Sequence, residues 1–105
     1  MGDDVWTTRY DHPTRWDQDF APLTLPDMFL GAAARHGAAP FLDFLGRQYS
    51  YAEVEKGVRH AAVGLAALGV KPGDRVGLFL PNVPHYVAAY YGALLAGAIV
   101  VNFSP

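Results

Sequence analysis

Apolar and polar residues alternate with helical periodicity over residues 25–36, which predicts the first helix. Thr24 precedes this segment as a residue type that caps helix N-termini, and Gly37 follows it as a typical stop. Pro26 and Asp27 suit the first turn, where a missing N–H and a negative charge are both tolerated. The apolar face is expected to consist of Leu25, Met28, Phe29 and Ala32.

A β-hairpin is predicted next. Residues 41–45 and 47–49 are rich in apolar and aromatic side chains and flank Gly46. A glycine followed by Arg47 fits the central pair of a type II′ turn.

The second helix has the clearest pattern in the chain. Ser50 and Glu53 have the spacing of a capping box, with Tyr49 and Val54 placed as a hydrophobic staple. A single apolar stripe then recurs every three or four residues: Tyr51, Val54, Val58, Ala61, Leu65 and Leu68. Gly69 is expected to end the helix in a Schellman motif.

The last third of the chain predicts a βαβ unit. Residues 71–74 have proline and glycine at their centre, which specifies a type II turn. A strand over 75–80, a helix over about 84–96 and an apolar strand over 99–103 follow. The two strands should be parallel, with a right-handed crossover, in a sheet that needs covering on both faces.

Composition narrows the class of protein. The chain has 105 residues, which suits one domain, and its 51% hydrophobic and 17% charged residues exclude a disordered chain. Its net charge is -2 and it has no basic run, so we expect neither a nucleic-acid nor an anionic-membrane partner. The absence of cysteine excludes disulfides, thiolate metal sites and a cysteine nucleophile, and is compatible with the cytoplasmic location that we expect.

Neither end of the chain predicts a targeting or membrane segment. Residues 1–20 are charged and lack an apolar core, unlike a signal peptide. Residues 86–101 are apolar, which is typical either of a membrane span or of a buried helix followed by a buried strand. The run is shorter than the roughly 18–20 residues that cross a bilayer, and Gly97 divides it, so we expect no transmembrane segment.

The sequence pattern predicts two parts: an arm, residues 1–23, and an incomplete α/β unit, residues 24–105. The arm is charged and carries four spaced aromatic residues: Trp6, Tyr10, Trp16 and Phe20. It is interpreted either as a partly ordered tail or as an extended arm whose aromatic residues dock on a surface of this chain or of a partner.

Candidate chemistry is sparse. The four histidines lack the spacing of three or four that lets one helix present two metal ligands: His12, His36, His60 and His85. Glycine-rich dinucleotide and phosphate-binding motifs are missing, and Pro81 and Pro84 remove N–H donors from the loop after the first βαβ strand. The tyrosines of the third helix either pack between helix and sheet or stack on a ligand: Tyr86, Tyr90 and Tyr91. No catalytic, cofactor-binding or metal-binding residue is therefore assigned.

The chain is expected to be a piece of a larger protein. A parallel sheet of two strands cannot cover itself, and the sequence reaches Pro105 directly after a strand. Ile99, Val101 and Phe103 would then be exposed beside an unpaired strand edge, so we expect a homo-oligomer. The alternative is a free-standing module that binds a partner through its arm and its uncovered sheet. The sequence encoded after Pro105 would distinguish a piece of a larger protein from a free-standing module.

Several segments, in this order, resemble the N-terminal region of the adenylate-forming enzymes, which include acyl- and aryl-CoA synthetases, adenylation domains of peptide synthetases and luciferases. Residues 49–54 are similar to the family's Thr-Tyr-x-Glu-Leu helix opening, and 61–76 to the helix, turn and strand that follow. The resemblance continues through 80–82, 92–98 and 100–102.

The subgroup is indicated by both ends of the chain. Residues 16–29 and 100–105 are similar to bacterial long-chain fatty acid–CoA ligases, while an aryl-CoA ligase of the coumarate type remains an alternative. The resemblance implies an α/β fold: an N-terminal fragment of a larger adenylate-forming domain, with three helices, a small hairpin and a βαβ unit with parallel strands.

The resemblance also implies the activity of a parent enzyme. A fatty acid would attack ATP to give acyl-AMP, and CoA would then take the acyl group, with Mg²⁺ assisting at the phosphates. The family's phosphate loop, aromatic-Thr-Glu motif, ribose-binding aspartate and catalytic lysine have no counterparts in residues 1–105. We therefore expect ATP, Mg²⁺ and CoA to serve the parent, and residues 1–105 to bind none of them and to be inactive alone.

Overall fold

The computed structural model describes residues 9, 11, 14 and 22–105. The elements run in the order α1 (Leu25–His36), β1 (Pro40–Phe44), β2 (Arg47–Ser50), α2 (Tyr51–Ala67), β3 (Arg75–Leu78), α3 (Pro84–Leu95) and β4 (Ile99–Asn102). Strands β1 and β2 pair antiparallel, and β3 and β4 pair parallel around α3. The predicted α/β class is confirmed. Most of the predicted arm, including its four aromatic residues, lies outside the described residues, and so does His12.

Helix α1 begins as predicted but buries a different face. The side chain of Thr24 accepts a hydrogen bond from the Asp27 N–H at 3.2 Å, which confirms the cap. Phe29 and Ala33 are buried, whereas Leu25 and Met28 are exposed, so the predicted apolar face was wrong for these two residues. The helix is apolar around much of its circumference, and periodicity alone does not select the stripe that meets the core.

The hairpin turn differs from the predicted type II′. Phe44 pairs with Arg47, so the central residues are Leu45 and Gly46, with φ of 51° and 83°. Two positive φ values define a type I′ turn, whose twist matches that of the flanking strands. Leu45 therefore occupies a conformation that disfavours leucine, while its side chain is 90% exposed.

Replacing Leu45 with asparagine is expected to raise the free energy of unfolding by about 0.5–1 kcal/mol, because asparagine tolerates the left-handed region. Leu68→Asn is the matched control, since Leu68 is similarly exposed at 83% but has a φ of -79°. Urea titration measures both variants. Equal effects at the two positions would show that the gain comes from removing an exposed leucine.

Helix α2 confirms both predicted ends. Glu53 N–H donates to Ser50 Oγ at 3.1 Å, and Ser50 N–H donates to Glu53 Oε1 at 3.2 Å, which completes the capping box. At the other end Gly69 has a φ of 98°, and Val70 N–H donates to the Leu65 carbonyl at 3.0 Å, as in a Schellman motif. The predicted stripe extends to Leu65 but not to Leu68, which is exposed where the helix runs past the core.

Replacing Ser50 with alanine is expected to lower the free energy of unfolding by about 1 kcal/mol, because the Glu53 N–H then loses its acceptor. Ser50→Thr keeps a hydroxyl acceptor and should cost only a small part of that. Chemical denaturation of both variants tests the assignment, and identical stabilities would contradict a role for the hydroxyl.

The core lies where α1, α2 and α3 meet the hairpin. Phe29, Val54 and Val58 form its buried centre. The Phe29 ring stacks on Tyr91 with centroids 5.0 Å apart and tilts against Phe41 at 5.3 Å. A single aromatic side chain of α1 therefore joins α3 to β1.

Helices α2 and α3 cross closely because small residues lie between them. A Cβ atom added at Gly92 would lie 2.5 Å from the Ala61 Cβ and 2.9 Å from the Val58 carbonyl oxygen. One added at Gly57 would lie 3.3 Å from the Ala88 Cβ. The crossing therefore requires glycine at position 92.

The amino ends of β3 and β4 are joined through backbone groups. The predicted type II turn is confirmed by the Asp74 N–H bond to the Lys71 carbonyl at 3.0 Å and by a φ of 90° at Gly73. Gly73 N–H also donates to the Gly97 carbonyl at 2.9 Å, and Ile99 N–H to the Asp74 carbonyl at 2.7 Å. These bonds extend the parallel ladder beyond the start of both strands.

The parallel pair is shorter than predicted. Strand β3 ends at Leu78 rather than Leu80, because the Phe103 N–H bond to the Leu78 carbonyl, at 2.8 Å, is the last of the ladder. Helix α3 packs on the pair, where Leu78 is buried. Ile99 and Phe103 remain about half exposed.

Candidate functional site

The carboxyl ends of β3 and β4 open into a cleft of about 570 Å³. Ligands of parallel sheets commonly bind outside the carboxyl ends of the strands, which makes this cleft the candidate site. Its lining comes from the loop after β3, the first turn of α3 and the segment after β4: Leu80, Pro81, Asn82, Tyr86, Asn102, Phe103, Ser104 and Pro105.

Two side-chain contacts shape the cleft. The Tyr86 hydroxyl donates a hydrogen bond to Asn102 Oδ1 and so ties α3 to the end of β4. The Phe103 ring lies over Gly77, where an added Cβ would be 3.0 Å from Phe103 Cε2. A larger residue at position 77 would displace this ring from the wall of the cleft.

The cleft has hydrogen-bonding groups but no charge. No formally charged residue follows Arg75 in the chain, and the lining polar side chains are amides and hydroxyls. Such groups position a polar ligand, but they supply neither a general base near neutral pH nor a cation for phosphate. The cleft therefore suits a positioning role rather than a catalytic one.

The three tyrosines of α3 separate into two environments. Tyr86 contacts β4 through Asn102, which agrees with the predicted helix–sheet contact. Tyr91 instead stacks on Phe29 of α1 and packs against the buried cluster, a contact that neither alternative describes. Tyr90 bridges them, with centroids 6.0 Å from Tyr86 and 5.4 Å from Tyr91.

A second cluster, at the junction of β2, α2 and α3, has a structural explanation. Arg47 Nη2 lies 3.0 Å from Glu53 Oε2, and its guanidinium lies 4.1 Å from the Tyr49 ring centroid. The other oxygen of Glu53 completes the capping box. Both side chains of the ion pair are about half exposed or more, so the pair contributes at most about 1 kcal/mol.

The histidines of the described segments are not brought together. Within the part of the chain that the structure describes, no group of three or more His, Cys, Asp or Glu residues is placed to hold a metal ion. In the same part, no helix has both the length and the apolar character needed to cross a membrane.

The chain matches the AMP-binding enzyme family over residues 29–105. A long-chain fatty acid–CoA ligase of Escherichia coli O157:H7 is 39% identical over 104 residues, which cover 96% of this chain and 18% of that protein. The 4-coumarate–CoA ligase 3 of Oryza sativa subsp. japonica is 38% identical over 85 residues, covering 79% of this chain and 15% of that protein. The chain therefore spans less than a fifth of the length of these curated relatives.

The fold of this chain is also similar to that of a solved structure. The fatty acyl-adenylate ligase from L. pneumophila, in complex with acyl adenylate and pyrophosphate, superposes with a TM-score of 0.66 at 31% identity. The superposition covers 77% of this chain and 15% of that one.

Proposed function

The chain belongs to the AMP-binding enzyme family, and on that basis we propose that it forms the N-terminal part of an ATP-dependent long-chain fatty acid–CoA ligase. In the proposed reaction, the carboxylate of the fatty acid attacks the α-phosphate of ATP, which gives acyl-AMP and pyrophosphate. The thiol of CoA then attacks the acyl carbonyl and AMP leaves, which gives the acyl-CoA thioester.

The extent of the match supports a fatty acid over an aryl substrate. The match to the E. coli fatty acid ligase leaves only about 4% of this chain outside, so it includes most of residues 1–23. The match to the rice coumarate ligase covers 79% of the chain at nearly the same identity. The larger coverage, rather than the identity, favours the fatty acid ligase.

The proposed contribution of this chain is structural. The cleft at the carboxyl ends of β3 and β4 has no charged side chain, and the Arg47–Glu53 pair is engaged in a helix cap. The described residues do not fit a Mg²⁺ site. When bound elsewhere in the parent enzyme, Mg²⁺ would neutralise charge on the phosphates of ATP. We assign no catalytic residue to residues 1–105.

The longer protein that contains this chain is expected to exchange pyrophosphate into ATP when palmitate is supplied and to form palmitoyl-CoA when CoA is added. Residues 1–105 alone should show no exchange and no micromolar affinity for ATP in a calorimetric titration. Omission of the fatty acid is the control. Exchange with 4-coumarate but not palmitate would replace the proposal with an aryl-CoA ligase, and no exchange with either would contradict both ligase assignments.

A further inference from the structure

An apolar groove of about 430 Å³ lies between the start of α1 and the end of α3. One wall consists of residues 24–27, and the other of Leu94, Leu95, Gly97 and Ala98. Asp27 is the charged residue among these lining positions. The groove is separate from the cleft at the carboxyl ends of β3 and β4, because the two have no lining residue in common.

Exposed apolar side chains lie along the same stretch of α1. Leu25 and Met28 are 46% and 52% exposed, although both are large apolar side chains. Leu25 and Met28 belong to the face that the sequence predicts to be buried. Contiguous exposure of this kind, beside an apolar groove, is typical of a docking surface.

We propose that this groove is the docking site for the chain's own N-terminal arm, with the aromatic side chains of Trp16 and Phe20 as its occupants. Aromatic rings bury large apolar areas, and a buried indole N–H requires an acceptor, which the Asp27 carboxylate offers. The arm is the segment of this chain with that chemistry, since it holds both tryptophans. This inference does not depend on the proposed enzymatic reaction.

The covalent connection favours the chain's own arm over that of a second copy. The groove begins at Thr24, eight residues after Trp16 and four after Phe20. An extended chain spans at most about 3.3–3.6 Å per residue, so Trp16 reaches roughly 28 Å from Thr24. Covalent attachment over so few residues gives an effective concentration in the millimolar range, far above that of a second molecule in a micromolar solution.

Tryptophan fluorescence tests the proposal directly, because the two tryptophans of the chain, Trp6 and Trp16, both lie in the arm. In the full chain carrying Trp6→Phe, acrylamide should quench Trp16 several-fold less than it quenches N-acetyl-tryptophanamide. Adding Leu25→Glu, which places a charge in the groove at a half-exposed position, should remove most of this protection. Val63→Glu is the matched control, since Val63 is exposed on α2 and lies outside the groove.

Three results would overturn the proposal. The first is that acrylamide quenches Trp16 as strongly as it quenches N-acetyl-tryptophanamide. The second is that the Leu25→Glu and Val63→Glu variants show equal quenching of Trp16. The third is protection that disappears on dilution, which would place the arm on a second copy. Far-UV circular dichroism checks that each variant is folded, and the uncharged Leu25→Ser replaces Leu25→Glu if that variant loses its helical signal.

Discussion

Replacing Phe29 with alanine is expected to lower the free energy of unfolding by about 3–5 kcal/mol. The Phe29 ring is 4% exposed and contacts Phe41, Tyr51 and Tyr91. Its removal leaves a cavity at the point where α1, β1 and α3 meet. A domain of this size has a total stability of about 5–15 kcal/mol, so the variant would be largely unfolded at moderate urea concentrations.

Met28→Ala is the matched control for this prediction. Met28 precedes Phe29 on the same helix, but its side chain is 52% exposed and is not part of the buried cluster. Its truncation should cost well under half as much. Similar urea midpoints for the two variants would mean that α1 is not anchored through Phe29.

Replacing Gly92 with alanine is expected to lower the free energy of unfolding by about 3 kcal/mol, towards the upper end of the range for overpacking. The added methyl group would lie 2.5 Å from the Ala61 Cβ and 2.9 Å from the Val58 carbonyl oxygen. Neither neighbour is the end of a flexible side chain, so relief requires α2 and α3 to move apart. That movement would weaken the contact on which the core depends.

Gly64→Ala is the control for the general effect of glycine in a helix. Gly64 lies inside α2, and an added Cβ would meet no atom within 4 Å. Here the better helix propensity of alanine should raise stability by about 0.5–1 kcal/mol. The two substitutions are therefore expected to have opposite signs. A loss of stability in both variants would contradict the explanation by close packing.

The features that the sequence predicted correctly depend on nearby residues. The Ser50–Glu53 capping box, the helix end at Gly69 and the turn at Gly73 are each specified by a few neighbouring positions, and these three features were confirmed. The type I′ turn was missed because it places a leucine at positive φ, which breaks the local rule from which turns are predicted. The pairing of Phe44 with Arg47 determines that turn, and pairing is a tertiary property.

Features that depend on distant packing could not be predicted in the same way. The apolar residues of α1 cover more than one stripe. Phe29 is buried and Leu25 is not, because the Phe29 ring stacks on Tyr91, a residue distant in the sequence. The sequence analysis assigned no binding site, although the predicted βαβ unit implies a place for one, because ligands collect at the carboxyl ends of parallel strands. Its lining depends on the hydrogen bond between Tyr86 and Asn102, for which no sequence signal exists.

The two ends of the parallel pair differ in how freely they can change during evolution. At the amino end, backbone bonds join Gly73 to Gly97 and Asp74 to Ile99, so most side chains there can drift as long as the two left-handed glycines are kept. At the carboxyl end, side chains such as Tyr86 and Asn102 hold the geometry, and each accepted replacement reshapes the cleft. Descendants of one ancestral scaffold can therefore diversify in the shape of the cleft at one end of the sheet while the other end keeps its backbone geometry.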